Sequence, residues 1–98
     1  MSRIIISPAA ARYLKKLKDA ELKDMFLDAI NKIRDDYTVG EEKTGDLKGI
    51  YAYGFRYGKT DYRIAYQVEV IDGEIVIVLK AGTHENFYRD LSKYLRGK

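Results

Sequence analysis

The sequence has no cysteine and no tryptophan, one proline, one histidine and two methionines in 98 residues. Without cysteine there is no disulfide framework, no zinc-thiolate site and no thiol nucleophile, as fits a reducing cytosol. A lone histidine, His84, leaves no His-rich metal site. No apolar run approaches the roughly 20 residues that a membrane span requires, and the opening MSRIIISPAA is too short and too broken for a signal peptide. A soluble, cytoplasmic protein with no membrane partner is expected. Also missing are a phosphate-binding loop, a GxSxG elbow, a paired-histidine metal motif and a dinucleotide fingerprint. Any catalysis is therefore expected to use no cofactor and no metal, and to be built from Arg, Lys, His, Tyr and Asp.

What is present fits one domain over residues 1–98, with 46% hydrophobic residues and no long polar tract. The 18 basic and 15 acidic residues leave a net charge of +3, a mild excess that permits a nucleic-acid partner without specifying one. Residues 1–49 carry 10 basic against 9 acidic side chains and residues 50–98 carry 8 against 6, so neither half is biased. The face on which the cations fall has to carry the argument.

Arg3 to Ile6 is a short β-branched run ending at Ser7-Pro8, an N-cap followed by proline at the first helical position. Ala10, Tyr13, Leu14 and Leu17 then repeat at helical spacing, and Asp19 caps a second helix whose stripe is Leu22, Met25, Phe26, Ala29, Ile30, Ile33 and Tyr37. Gly40 is expected to close that helix, with Glu41 to Gly45 as a polar loop lacking evident chemistry. The period then changes to that of a strand. Tyr51, Tyr53, Phe55 and Tyr57 alternate with Ala52, Gly54 and Arg56, and Tyr62, Ile64, Tyr66, Val68 and Val70 alternate with Arg63, Ala65, Gln67 and Glu69. Gly58 to Asp61 is a turn, and Asp72-Gly73 is a strong hairpin signal. Ile75 to Leu79, apolar on both faces, predicts a central strand, and Thr83 is expected to cap a last helix from about His84 to Leu95. The order is β-α-α-β-β-β-α, an α+β fold in which a helical hairpin packs on a mainly antiparallel four-stranded sheet.

If the aromatic side of that sheet meets the hairpin, the other side presents Arg56, Arg63 and Gln67, with Lys80 and His84 at the end of the neighbouring strand. Ala52, Gly54 and Ala65 leave the surface between them open, which predicts a shallow, cation-lined concavity rather than a second core. A single arginine on a solvated strand commonly only keeps an edge soluble. A pair on adjacent strands is different, because arginine forks match phosphate oxygens.

The stretches DLKGIYAYGFRYGKTDYRIAYQVEV and IVIVLKAGTHENFY resemble the RelE/ParE superfamily, the toxins of type II toxin-antitoxin pairs. The resemblance spans nearly the whole chain, and YRIAYQV with the strand-end GTHENFY is its most specific part. It implies a ribosome-dependent, metal-independent mRNA endonuclease that inhibits translation, near the RelE/YafQ-like branch, or alternatively a ParE-type DNA gyrase inhibitor that cuts nothing. It implies as partners a cognate antitoxin in a hetero-oligomeric complex, the ribosome and mRNA. Arg63 falls on the family's phosphate-binding arginine and Arg56 on its basic surface. Lys80, His84 and Tyr88 match the basic, histidine and aromatic positions of the YafQ-like branch, and Asp61-Tyr62 its Asp-aromatic pair. Two lysines of the members nearest RelE are replaced by Ala52 and Gly54, and His84 lacks the companion histidines of the YafQ-like branch. The resemblance thus implies a catalytic set of His84, Arg63, Tyr88, Arg56 and Lys80, with Lys48, Gln67, Asp61 and Tyr62 on the RNA-binding surface. His84 would transfer a proton, Tyr88 would stack on a base or orient the nucleophile, and the identity of the general base is left open, with Asp61 a weak candidate.

Overall fold

The computed structural model describes residues 2–70, 72–85 and 87–96. Strand β1 (Arg3–Ile6) leads through Ser7 into helix α1 (Pro8–Lys16). Ser7 is buried because it fastens both elements. Its Oγ accepts from the Ala10 N–H at 3.2 Å as the N-cap and donates to the Leu79 carbonyl at 2.8 Å. Helix α2 (Ala20–Asp35) starts at Asp19, whose Oδ1 accepts from the N–H groups of Glu21 and Leu22. The Tyr57 hydroxyl lies 2.9 Å from Asp19 Oδ2 and 2.9 Å from Glu21 Oε1 and donates to this pair, which ties the far end of the sheet to the start of α2. Those carboxylates, Glu21 first, raise the Tyr57 phenol well above its ordinary pKa. No described helix is long and apolar enough to cross a membrane.

The sheet is mixed. The short strand β2 (Glu41–Glu42) and the long strands β3 (Ile50–Tyr57), β4 (Thr60–Val70) and β5 (Glu74–Thr83) join β1 in the order β1-β5-β4-β3-β2. β1 runs parallel to β5 and every other pairing is antiparallel. Helix α3 (Phe87–Arg96) ends the sequence of elements, which is the expected order with one short strand added. β5 is central, as its two apolar faces imply. The Asp72-Gly73 turn joins β4 to β5, with φ of 52° and 107°.

Four features depart from the sequence reading. Glu41–Glu42 is not loop but a fifth, two-residue edge strand, paired with Ala52 and Tyr51 and too short to show a period. α2 ends at Asp35, and Tyr37–Val39 form a separate 3-10 turn before Gly40. β5 continues through Lys80-Ala81-Gly82 to Thr83, because β4 supplies ladder partners there although the apolar run has ended. Thr83 is therefore a strand residue opposite Tyr62, His84–Glu85 is a bend, and the helix begins later, at Phe87.

The aromatic alternation of β3 and β4 buries against α1 and α2 as expected. Phe26 of α2 is fully buried and meets Phe55 and Tyr62 edge to face at 4.9 and 5.6 Å. Tyr66 is fully buried, and its hydroxyl donates to the Tyr37 carbonyl and accepts from the Gly40 N–H at 3.1 Å. Burial pushes its pKa up to about 12. A Cβ at Gly40 would sit 2.2 Å from that hydroxyl and 3.0 Å from the Ala52 carbonyl. Gly40→Ala should therefore cost about 1–3 kcal/mol by overpacking. Tyr66→Phe should cost about 1–3 kcal/mol by leaving polar groups unpaired. Because both act at one contact, denaturant melts of the double variant should show a loss smaller than the sum of the two.

The opposite face of the sheet is not the open surface expected. α3 lies across half of it, and Phe87 and Leu91 close a second apolar cluster over Ile50, Ala65 and Leu79. A β-bulge makes this possible: Tyr66 pairs with Val78 but Ala65 with Lys80, so Leu79 is an extra residue. Val78 faces α1 and α2, whereas Leu79 and Lys80 both turn toward α3. The open part of this face is confined to the region beyond α3, next to β2 and the β3–β4 turn.

Candidate functional site

That remaining region is a concavity of about 550 Å³. Its floor is the outer side of β3 and β4, with Ala52, Gly54, Arg56, Asp61 and Arg63; Glu41 and Lys43 line it from the β2 edge, and His84 and Tyr88 from the end of β5 and the start of α3. Lys43, Arg56 and Arg63 face Glu41 and Asp61 there, so the lining is cationic on balance before His84 is counted.

Arg63 and Gly54 are cross-strand partners. The guanidinium lies over the glycine: a Cβ at position 54 would come within 2.4 Å of Nη1 and 2.9 Å of Cζ. Nη1 also donates to the Tyr62 carbonyl at 3.1 Å, which leaves the rest of the fork toward the concavity. Gly54 is thus a seat for the arginine. Arg56 is exposed and pairs across the strands with Asp61, at a loose Nε to Oδ1 distance of 4.0 Å, so its charge remains available.

His84 is placed by its backbone. Its N–H donates to the Asp61 carbonyl at 2.8 Å and its carbonyl accepts from the Phe87 N–H at 3.1 Å, so the bend is clamped between β4 and α3. The imidazole is exposed and meets the Tyr88 ring edge to face, with centroids 6.2 Å apart. His84 and Asp61 also border a second depression, of about 450 Å³, on the far side of the bend. Among the described residues no group of three or more His, Cys, Asp or Glu side chains gathers as metal ligands would.

The structure therefore brings together His84, Arg63, Tyr88, Arg56 and Asp61 from the sequence-derived set. It separates the others. The bulge turns Lys80 under α3, where its ammonium lies 5.4 Å from the Phe87 ring centroid, outside the concavity. Tyr62 belongs to the opposite face, stacked with Phe55 in the core against α2, and is withdrawn from any ligand surface on this side. Gln67 pairs with Ile50 and Ile77 farther along the sheet, and Lys48 sits exposed in the turn before β3; neither lines the concavity. Ala65, expected to keep the surface open, is fully buried by α3.

Two charged residues of the lining were missed. Glu41 and Lys43 enter because β2 pairs with β3, which sets Glu41 opposite Ala52 on the floor. Lys43 Nζ is 2.7 Å from Glu41 Oε1 and 4.9 Å from the Tyr88 ring centroid. The hydrogen bond to Glu41 raises the Lys43 pKa and lowers that of Glu41, so both are charged at neutrality. The acidic and basic residues just after Gly40 were the available signal, but only the pairing reveals which of them face inward.

No curated protein matches the sequence. Among solved structures, the chain is similar to one in the toxin-antitoxin complex RelBE2 from Mycobacterium tuberculosis, at 23% identity and a TM-score of 0.64, covering 85% of this chain and 98% of that one. It is also similar to a mutant of the E. coli toxin RelE in the free state, at 16% identity and a TM-score of 0.68, covering 94% and 90%. At such identities the likeness carries the fold. The family model of the ParE-like toxin of type II bacterial toxin-antitoxin systems matches residues 4–92. With nearly the whole chain spanned by that match and the fold shared with RelE, the protein belongs to the ParE-like toxins of type II toxin-antitoxin systems, within the RelE/ParE superfamily.

Proposed function

We propose that this toxin is a ribosome-dependent, metal-independent mRNA endonuclease that acts in the cytoplasm to inhibit translation, and that a cognate antitoxin holds it silent in a hetero-oligomeric complex. The observation that carries this reading is the placement of Arg63 and Arg56 on the floor of a concavity whose rim holds the His84–Tyr88 pair. RNA supplies its own nucleophile. The ribose 2′-oxygen attacks the adjacent phosphorus, the bond from phosphorus to the 5′-oxygen breaks, and the products are a 2′,3′-cyclic phosphate and a 5′-hydroxyl. Negative charge grows on the phosphoryl oxygens, where two arginines act most strongly, and the leaving 5′-oxygen needs a proton, which His84 is set to supply as imidazolium. Tyr88 offers a ring face to an unstacked base, a contact that every base can make. Asp61 is the carboxylate of the lining left to accept the 2′-OH proton, since Glu41 is engaged by Lys43 at 2.7 Å.

The match to a ParE-like family favours a second reading, inhibition of DNA gyrase without cleavage. Primer extension on transcripts after induction separates the two. Cuts inside translated codons support the nuclease, whereas intact mRNA with accumulating DNA breaks supports gyrase inhibition. Co-purification with the product of an adjacent short open reading frame tests for the antitoxin.

The seat beneath Arg63 supplies a further test. Gly54→Val puts a branched side chain where the guanidinium lies, so Arg63 must leave its position. The strand itself gains a residue of higher β propensity and the site is exposed, so the melting temperature should not fall. Cleavage should fall by about tenfold or more, as expected when a phosphate-binding group is misplaced. Unchanged cleavage would show that the arginine's seat does not matter.

A further inference from the structure

Glu41, Lys43, Tyr88 and His84 form one line of contacts along the rim, of which the proposed chemistry uses only the last two. Lys43 follows β2, and its backbone N–H donates to the Ile50 carbonyl at 2.8 Å, which anchors its stem against the start of β3. Its side chain is 25% exposed, against 78% for Glu41, so the carboxylate is the outer member and the ammonium lies inward, against the Tyr88 ring. A cation at 4.9 Å from the centroid is attracted by the ring's negative face. The Glu41 hydrogen bond keeps that cation protonated. Tyr88 in turn presents its ring to the His84 imidazole at an interplanar angle of 82°. His84 stands in a bend whose backbone is held by Asp61, while the ring contact that orients its imidazole is the one to Tyr88.

We propose that Lys43 is a positioning residue: seated on the Tyr88 ring with Glu41 as its counter-charge, it fixes Tyr88 and through it the imidazole of His84 in the concavity. The kinetic consequence rests on the nuclease reading above; the geometric one does not. Proton transfer to a leaving oxygen requires the imidazole within hydrogen-bond reach of it, so a ring that turns freely on an exposed bend would be in place only part of the time.

The test compares Lys43→Met, which keeps the length of the side chain and removes its charge, with Lys43→Arg and Glu41→Gln. In NMR spectra of the free toxin, the Lys43 ε-methylene protons should be shifted upfield by the Tyr88 ring current and lose that shift in Tyr88→Leu. Cross-relaxation between the Tyr88 and His84 ring protons should be present in the wild type, lost in Lys43→Met and retained in Lys43→Arg. With programmed ribosomes as substrate, Lys43→Met should lower kcat by about tenfold or more, while KM stays within about twofold. Lys43→Arg should recover most of the rate, and Glu41→Gln should fall between. Ring-to-ring cross-relaxation that survives Lys43→Met would overturn the proposal, as would a rise in KM at constant kcat, which would place Lys43 on the RNA instead. If the wild type leaves translated mRNA intact, the nuclease reading fails and the NMR comparison still decides whether Lys43 orders the rim.

Discussion

His84→Gln should lower the rate of cleavage of translated mRNA by about a hundredfold or more, the usual contribution of a positioned general acid. Glutamine keeps a polar side chain of similar reach and can still donate a hydrogen bond, but it cannot release a proton to the departing 5′-oxygen. The substitution should leave the fold in place. His84 is exposed, and its structural contribution is made by backbone groups, the N–H to Asp61 and the carbonyl to Phe87, which glutamine also possesses. The melting temperature should therefore hold while the rate of the chemical step falls. Single-turnover cleavage on programmed ribosomes measures that step. A near-normal rate in His84→Gln would remove the imidazole from the mechanism and shift weight to the gyrase reading.

Arg63→Ala should lower cleavage by about a hundred- to a thousandfold, the range found when a preorganised donor to developing negative charge is deleted. The arginine is held on three counts: its strand position opposite Gly54, the open seat that glycine provides, and the bond from Nη1 to the Tyr62 carbonyl. Such a group need not reorganise as charge develops on the phosphoryl oxygens. Arg63→Lys should recover only a small part of the rate, because an ammonium is a point charge and cannot both hold the Tyr62 carbonyl and present a planar fork. Arg56, exposed and loosely paired with Asp61, should matter less, and its loss should appear mainly as weaker binding that depends on salt. Equal effects of Arg56→Ala and Arg63→Ala on the chemical step would contradict this division of labour.

Much of this arrangement was legible in the sequence. The alternation in β3 and β4 assigned the aromatic residues to the hairpin side and Arg56 and Arg63 to the other, and the small residues at 52 and 54 pointed to a concavity there. The end of the neighbouring strand already brought His84 to its edge, the resemblance added Tyr88, and the structure places their rings in contact. What could not be read was whatever depended on pairing between segments. Two residues of β2 carry no period, so Glu41 and Lys43 were passed over. Nothing in the α3 sequence says which half of the sheet it covers, so Ala65 was assigned to an open surface and Lys80 to the site. Tyr62 was misplaced for another reason. Strand alternation puts it opposite Arg63, in the core, whereas the resemblance assigned it to the RNA side, and the local period prevailed.

The bulge at Leu79 gives the last strand a change of spatial reading frame. Before it, even-numbered residues such as Val76 and Val78 face the helical hairpin; after it, the odd-numbered Ala81 does. A strand of the same sequence that paired regularly through Leu79, without the bulge, could still form an unbroken ladder with β4. It would nonetheless turn Lys80 into the hairpin core and Ala81 out of it, and bring the bend to the sheet edge one position out of phase. A spacing of one residue, with no chemistry of its own, thus sets where the only histidine of the chain arrives.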